Sequence, residues 1–118
     1  MLLLEKHLRN KANKIQELAH TTQEFILGLD PSIEESPKKF YIAYRTSQNI
    51  VCMEIQKQKI VLFLKLDPKN LDKIPDIARD VSSIGHFGTG DLEFTILSIE
   101  DLELTMPYIE MAYRKVGG

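Results

Sequence analysis

Residues 40–66, FYIAYRTSQNIVCMEIQKQKIVLFLKL, decide the fold, because they hold three apolar runs separated by short polar connections. The runs cover residues 40–45, 50–56 and 59–66 and are rich in Ile, Val, Tyr and Phe, the residue types that favour β-strands. The polar connections are short enough to be hairpin loops. The segment therefore predicts a three-stranded antiparallel meander.

A helical pattern precedes this meander. Apolar residues between positions 4 and 29 recur at helical spacing opposite a polar face, which predicts a helix. Thr21 followed by Glu24 has the spacing of a capping box, so we expect a break near His20. Residues 31–37 begin and end with proline and are interpreted as a loop.

The chain after the meander holds one more strand and one more helix. Residues 71–81 contain short helical patterns interrupted by Pro75, and residues 91–97 alternate as a fourth strand. Ser98 is the expected cap of the last helix, which Pro107 should either kink or, with Thr105 as cap, divide. The predicted class is α+β: a mainly antiparallel sheet, the meander plus a later strand, with N- and C-terminal helices packed on one face.

The overall composition excludes several classes of protein. A chain of 118 residues, 43% hydrophobic, suits one domain over residues 1–118, and its net charge of −2 gives no general attraction to DNA or anionic membranes. Cys52 is the only cysteine, and its apolar neighbours predict a buried thiol in a reducing compartment. No apolar run is long enough for a signal peptide or a membrane span. We expect a cytoplasmic protein with no membrane contact.

The common catalytic and metal-binding signatures are absent from the sequence. The three histidines, His7, His20 and His86, are widely spaced, and no phosphate loop, nucleophile elbow or dinucleotide fingerprint is present. Residues 67–69, Asp-Pro-Lys, match the acid-x-lysine pair of nucleases only formally, because proline disrupts a strand. A general base at His86 beside Asp91 would lack a nucleophile or metal. We therefore expect no enzyme activity, no cofactor and no metal.

The most distinctive segment is the glycine loop, residues 84–91, with three glycines within six residues. Glycines allow backbone N–H groups to converge on an anion, and Arg79 upstream could add a charged fork. Within the loop, His86 and Phe87 offer a proton and a stacking surface. The alternative is that the loop needs glycine only for a sharp turn and places Phe87 in the core. The candidate ligands from this segment are Arg79, Gly85, His86, Gly88, Thr89 and Gly90.

Positive charge is concentrated on the meander. Residues 37–73 hold eight basic and three acidic residues, whereas residues 74–118 hold three basic and eight acidic ones. Lysines at 57, 59 and 65 alternate with Tyr41, Tyr44 and Phe63, a surface suited to phosphates and stacked bases. A solvated sheet edge is the alternative. The meander adds Tyr44, Arg45 and Lys57 to the candidate nucleic-acid-binding residues.

The sequence resembles a small uncharacterised bacterial and archaeal domain family, sometimes labelled predicted transport protein. The resemblance covers most of the chain. It rests on LEKHL at 4–8, FYIAYR at 40–45, CMEIQK at 52–57, LKLDP at 64–68, ARDV at 78–81, and the loop 85–91 with Glu93.

The resemblance implies an accessory module beside a nuclease, because such domains often form the C-terminal part of endonuclease-like or restriction-modification proteins. The transport label finds no support in a chain without a membrane span. In longer relatives an upstream region precedes residues 4–8, so residues 1–8 are read as the tail of such a region. Both a stand-alone chain and an excised domain fit. The order of elements is also similar to YjbR-like sheet-and-helix domains, which is an analogy of fold alone.

Two functional hypotheses follow from the sequence. The first is a non-catalytic module that recognises nucleic acid or a nucleotide phosphate and positions it for a partner nuclease. The alternative is a protein-interaction or homodimerisation domain in which the basic meander of one chain meets the acidic helix of another.

Overall fold

The three apolar runs form the central strands of the sheet, as predicted. The structure, a computed structural model, describes residues 4–86 and 88–117. The elements in chain order are α1 Leu4–Leu8, α2 Asn13–Leu27, β1 Glu34–Pro37, β2 Ile42–Arg45, β3 Asn49–Ile55, β4 Ile60–Leu64, a 3-10 turn Pro68–Asn70, β5 Ala78–Asp80, β6 Leu92–Ile96 and α3 Ile99–Val116.

The strands form one open sheet in the order β1-β2-β3-β4-β6-β5, and every neighbouring pair is antiparallel. Because successive side chains point to opposite faces, the sheet has an inner face against the helices and an outer face. The large buried residues of the inner face pack with α2 and α3 into the main core: Ile42, Tyr44, Met53, Leu62, Leu64, Phe94, Ile26, Leu102 and Ile109. The predicted α+β class is confirmed.

The N-terminal helix breaks earlier than predicted. Residues 9–12 separate α1 from α2, and Asn10 has a left-handed φ of 65°, which asparagine tolerates better than most residues. The predicted break near His20 is wrong, because α2 continues through it and the Thr21 hydroxyl donates to the carbonyl of Glu17. Leu4 and Leu8 of α1 are buried in the main core.

Two short edge strands escaped the sequence prediction. Residues 34–37, predicted as part of a loop, form β1 against β2, and Pro37 occupies the last position of this edge strand. Residues 78–80, predicted as part of a helical stretch, form β5 against β6. The sheet therefore has six strands instead of four. The short helical pieces predicted within residues 71–81 are wrong, because this stretch holds bends, a turn and β5, and the 3-10 turn Pro68–Asn70 lies before it.

The last helix begins as predicted and is not divided. The Ser98 hydroxyl accepts the backbone N–H of Asp101 at 3.2 Å, which caps α3. The helix continues through Pro107 to Val116, so Thr105 does not cap a second helix. Its side chain instead donates to the carbonyl of Asp101, one turn earlier. Across the residues that the structure describes, no helix is long and apolar enough to cross a membrane.

Candidate functional site

A second, smaller apolar cluster lies on the outer face of the sheet. It consists of buried Ala43, Cys52, Val61, Phe63 and Val81, with Tyr41 packed against them. Among the described residues, the buried apolar side chains of α1, α2 and α3 belong to the main core and not to this cluster. The glycine loop covers part of this cluster, so its position is set by the sheet beneath it.

Three contacts fix the loop on the outer face. The His86 ring stacks parallel on Phe63 with centroids 4.2 Å apart. Gly88, with φ +79°, lies so close to Cys52 that a Cβ would be 2.9 Å from the Cys52 Cβ. Gly90, with φ +132°, approaches the backbone of β4, where a Cβ would be 2.8 Å from the Leu64 carbonyl oxygen. Glycine at 88 and 90 is therefore required by both conformation and space.

Thr89, between these two glycines, is tied to β3. Its backbone N–H donates to the Cys52 Sγ at 3.4 Å, and its hydroxyl accepts from the Asn49 side-chain amide at 2.9 Å. Burial raises the pKa of the Cys52 thiol, an effect that the bonds to Thr89 partly oppose. The thiol therefore acts at neutral pH as a structural contact below the loop.

A polar cleft opens where the loop meets the end of β3. Its volume is about 300 Å³, and its walls are Arg45, Ser47, Gln48, Asn49, Lys65 and Thr89. We call it the Arg45–Lys65 cleft. The register explains how distant residues meet there: Arg45 is the cross-strand partner of Asn49, and the Lys65 N–H donates to the Ile50 carbonyl at 3.0 Å. Between Tyr44 and Arg45 the register skips Ile50, so the extra residue of this β-bulge belongs to β3 and the alternation along β2 is unbroken.

The cleft has a positive electrostatic character. Arg45 and Lys65 supply two cations, and no carboxylate is among the wall residues. Within the described ranges neither cation lies within 4.0 Å of a carboxylate, although Glu34 is the cross-strand neighbour of Arg45 on β1. The other walls are hydroxyl and amide side chains that can donate hydrogen bonds. This arrangement can bind an anion with several oxygen acceptors, such as a phosphate.

The chain matches a described protein family over most of its length. The family model described as Domain of unknown function (DUF5655) matches residues 4–115. The chain belongs to this family. An uncharacterized protein of Haemophilus influenzae is 39% identical over 108 residues, which are 92% of this chain and 36% of that relative. The chain thus spans about a third of the relative's length. No solved structure matches it.

Of the residues predicted as ligands, the structure places Arg45 and Thr89 of this DUF5655 domain in the cleft. Gly88 and Gly90 flank Thr89 and hold the loop, while Gly85 is exposed with open space around it. His86 is not among the walls of the cleft and instead stacks on Phe63 of β4. Phe87 is outside the described residues. The positive φ and close packing of Gly88 and Gly90 agree with the alternative interpretation, in which these glycines serve the backbone geometry of the loop.

Three other predicted ligands lie elsewhere. Tyr44 is buried on the inner face, where its hydroxyl donates to Glu35 at 2.9 Å. Lys57 follows the far end of β3, roughly 25 Å from Asn49 at ~3.3 Å per residue. Arg79 is on edge strand β5 and pairs with Glu93, its cross-strand neighbour, at 2.8 Å. The structure does not bring these three to the Arg45–Lys65 cleft.

Arg79 and Glu93 lie instead in a separate cleft of about 390 Å³. Its walls also include Asp76, Thr95 and Asp101. The hydrogen bonds that Arg79 donates to Glu93 raise the pKa of the guanidinium. Because Glu93 already neutralises Arg79, this cleft offers no net positive charge to an anion.

Sequence reasoning did not assign Lys65 and Asn49 to the candidate site of the domain. Lys65 was recognised only as part of the basic meander, and Asn49 only as part of a hairpin connection. The strand pattern could have indicated them, because a meander brings the end of β2, the start of β3 and the end of β4 to the same end of the sheet. Within the described part of the chain, no group of three or more His, Cys, Asp or Glu could hold a metal ion.

Proposed function

We propose that this domain is a non-catalytic module that binds the phosphates of nucleic acid in the Arg45–Lys65 cleft. The observation that carries the proposal is a cleft whose walls hold two cations and four hydroxyl or amide side chains, with no carboxylate among them. Phosphate contacts from arginine, lysine and small polar side chains make up much of protein–nucleic acid recognition. They position the ligand without reading its sequence.

Support also comes from the way the cleft is held together. Thr89 is tied through Cys52 and Asn49 to the central strand β3, and Lys65 is tied by its backbone to the same strand. Groups that are already fixed lose little conformational entropy when a ligand binds. Thr89 and Asn49 are therefore preorganised polar groups of the cleft, whereas the Arg45 and Lys65 side chains would be ordered when the ligand binds.

The domain would hold nucleic acid for a nuclease carried by another chain or by another part of a longer protein. The resemblance to accessory domains of restriction-type proteins motivates this part of the proposal. It fits a chain that spans 36% of its Haemophilus influenzae relative. In this proposal the partner supplies the catalytic group and the domain supplies phosphate binding.

The proposal is tested by fluorescence anisotropy with short single-stranded and double-stranded oligonucleotides. We expect binding that weakens steeply between about 50 and 200 mM salt, because bound cations displace counterions from the phosphates. Arg45→Ala should weaken binding, since it removes a cleft cation. Lys57→Ala is the matched control, because it removes a meander cation outside the cleft. No binding at the lower salt concentration, or equal losses in both variants, would refute the proposal.

A further inference from the structure

The outward face of α3 carries an unusual pattern. The buried residues Leu102, Thr105, Ile109 and Ala112 define its core side. The opposite side, which we call the outer face of α3, presents Glu100, Glu103, Leu104, Pro107, Met111 and Arg114, all exposed. These residues recur at helical spacing and form one continuous strip.

The middle of this strip is apolar. Leu104 is 62% exposed and Met111 is 40% exposed, with exposed Pro107 between them on the same side of the helix. Solvent-exposed positions of a helix usually carry polar residues. Three apolar side chains next to one another at such positions therefore indicate a contact surface.

The two ends of the strip carry opposite charges. Glu100 and Glu103 lie before the apolar centre, whereas Arg114 and Lys115 lie after it. Glu100 and Arg114 are each seven residues from Pro107, about 10 Å along the helix at ~1.5 Å per residue. Arg114 makes one long contact with Glu110, at 3.6 Å, and its side chain remains 73% exposed.

We propose that a second copy of this chain binds this strip, with the two α3 helices antiparallel about a two-fold axis at Pro107. In that arrangement Leu104 meets Met111 of the partner subunit, and Glu100 meets Arg114 of the partner subunit. A two-fold interface requires a self-complementary surface, which the acidic, apolar and basic order of this strip provides. The contact is one helix face wide, so the dimer is weak and depends on protein concentration.

This interface differs from the pairing of basic meander with acidic helix expected from the sequence. The meander cations are divided between the Arg45–Lys65 cleft and the distant turn that carries Lys57. They do not form one surface for a helix. No residue of α3 is among the walls of the Arg45–Lys65 cleft, so the dimer and nucleic-acid binding can be tested independently.

The first test is disulfide cross-linking of Pro107→Cys. A residue beside a two-fold axis approaches its own counterpart, so oxidation should give a covalent dimer at low micromolar protein. Glu24→Cys, an exposed position on α2, is the control and should remain monomeric, as should the original chain with its buried Cys52. Equal cross-linking of both variants, or none of Pro107→Cys, would overturn the proposal.

The second test uses charge reversal and sedimentation equilibrium. Glu100→Lys and Arg114→Glu should each raise the dimer dissociation constant about tenfold, because each places like charges opposite one another twice. The double variant restores opposite charges and should recover most of the affinity. A failure of this recovery, or a chain that stays monomeric at millimolar concentration, would contradict the two-fold arrangement.

Discussion

Single glycine residues determine how the glycine loop packs on the outer face of the sheet. Gly90 has φ +132° and would place a Cβ 2.8 Å from the Leu64 carbonyl oxygen, whereas Gly85 has open space around its Cα. The two glycines lie in the same loop, but only one of them has no room for a side chain. Gly90 is needed for close packing on β4, and Gly85 is free to change.

We expect Gly90→Ala to lower the free energy of unfolding by about 1–3 kcal/mol, since alanine would be strained at this φ and would contact the β4 backbone. Gly85→Ala should change it by less than about 0.5 kcal/mol. Urea unfolding of the two variants measures the difference. Equal stabilities would show that the loop does not pack as described.

Tyr44 illustrates a second residue-scale requirement, inside the core. Its hydroxyl donates to the Glu35 carboxylate at 2.9 Å, and Gln23 donates to the same carboxylate oxygen at 2.7 Å. Burial, together with the charge of Glu35, raises the pKa of Tyr44 above its ordinary value. The phenol is therefore a neutral donor at physiological pH.

Tyr44→Phe should cost about 1.5–3 kcal/mol of unfolding free energy, the typical value for a hydrogen bond to a charged group. Tyr41→Phe is the control, because its hydroxyl has no hydrogen-bond partner among the described residues. Thermal or urea unfolding distinguishes them. If the two variants lose the same stability, the bond to Glu35 contributes nothing.

The alternation of side chains along a strand would have improved the prediction of the candidate site. Tyr44 and Arg45 are consecutive in a strand, so their side chains point to opposite faces and cannot share one ligand. Applying that rule would have removed Tyr44 from the candidate site. The positions of Arg79 and Lys57 depend on strand order and register, which local residue patterns do not determine.

At the scale of elements, one hydrogen bond ties the C-terminal helix to the connection before β1. The Tyr113 hydroxyl on α3 donates to the Asp30 carboxylate at 2.5 Å, across 83 residues of sequence. The bond from Tyr113, and then those from Ser32, lower the pKa of Asp30 below its ordinary 3.8. The same bond, together with partial burial and the charge of Asp30, raises the pKa of Tyr113 above 10.0.

This pair predicts a pH-dependent difference in melting temperature between the original chain and Tyr113→Phe. The original chain should have the higher melting temperature above pH 3.8, and this difference should decrease as pH falls through the lowered pKa of Asp30. It should also be present below pH 10.0 and decrease as pH rises through the raised pKa of Tyr113. A difference that stays constant across pH would contradict this assignment, and Tyr108→Phe serves as the control.

The elements that could be predicted are those with strong apolar patterns. The three meander strands, β6 and the cap of α3 were recognised because alternation or capping is written in a few adjacent residues. Strand β1, with the sequence EESP, has low strand propensity and forms because β2 offers it a partner. The break between α1 and α2 and the continuous helix through Pro107 depend on tertiary packing, which overrides local signals.

At the scale of the whole molecule, the positive charges of the meander separate to two ends of the sheet. Arg45 and Lys65 meet at the cleft, while Lys57 and Lys59 lie at the opposite turn. The chain's net charge of −2 would not attract nucleic acid by itself. Binding must therefore depend on the cleft if the proposed function is correct.

The most direct measurement is a salt titration of oligonucleotide binding by two double variants, Arg45→Ala/Lys65→Ala and Lys57→Ala/Lys59→Ala. Both remove two positive charges, so they alter the net charge equally. We predict that the cleft variant loses most of its affinity and reduces the slope of log affinity against log salt by about 1 to 2, while the control keeps both. Equal behaviour of the two variants, or an unchanged slope in the cleft variant, would contradict phosphate binding in the cleft.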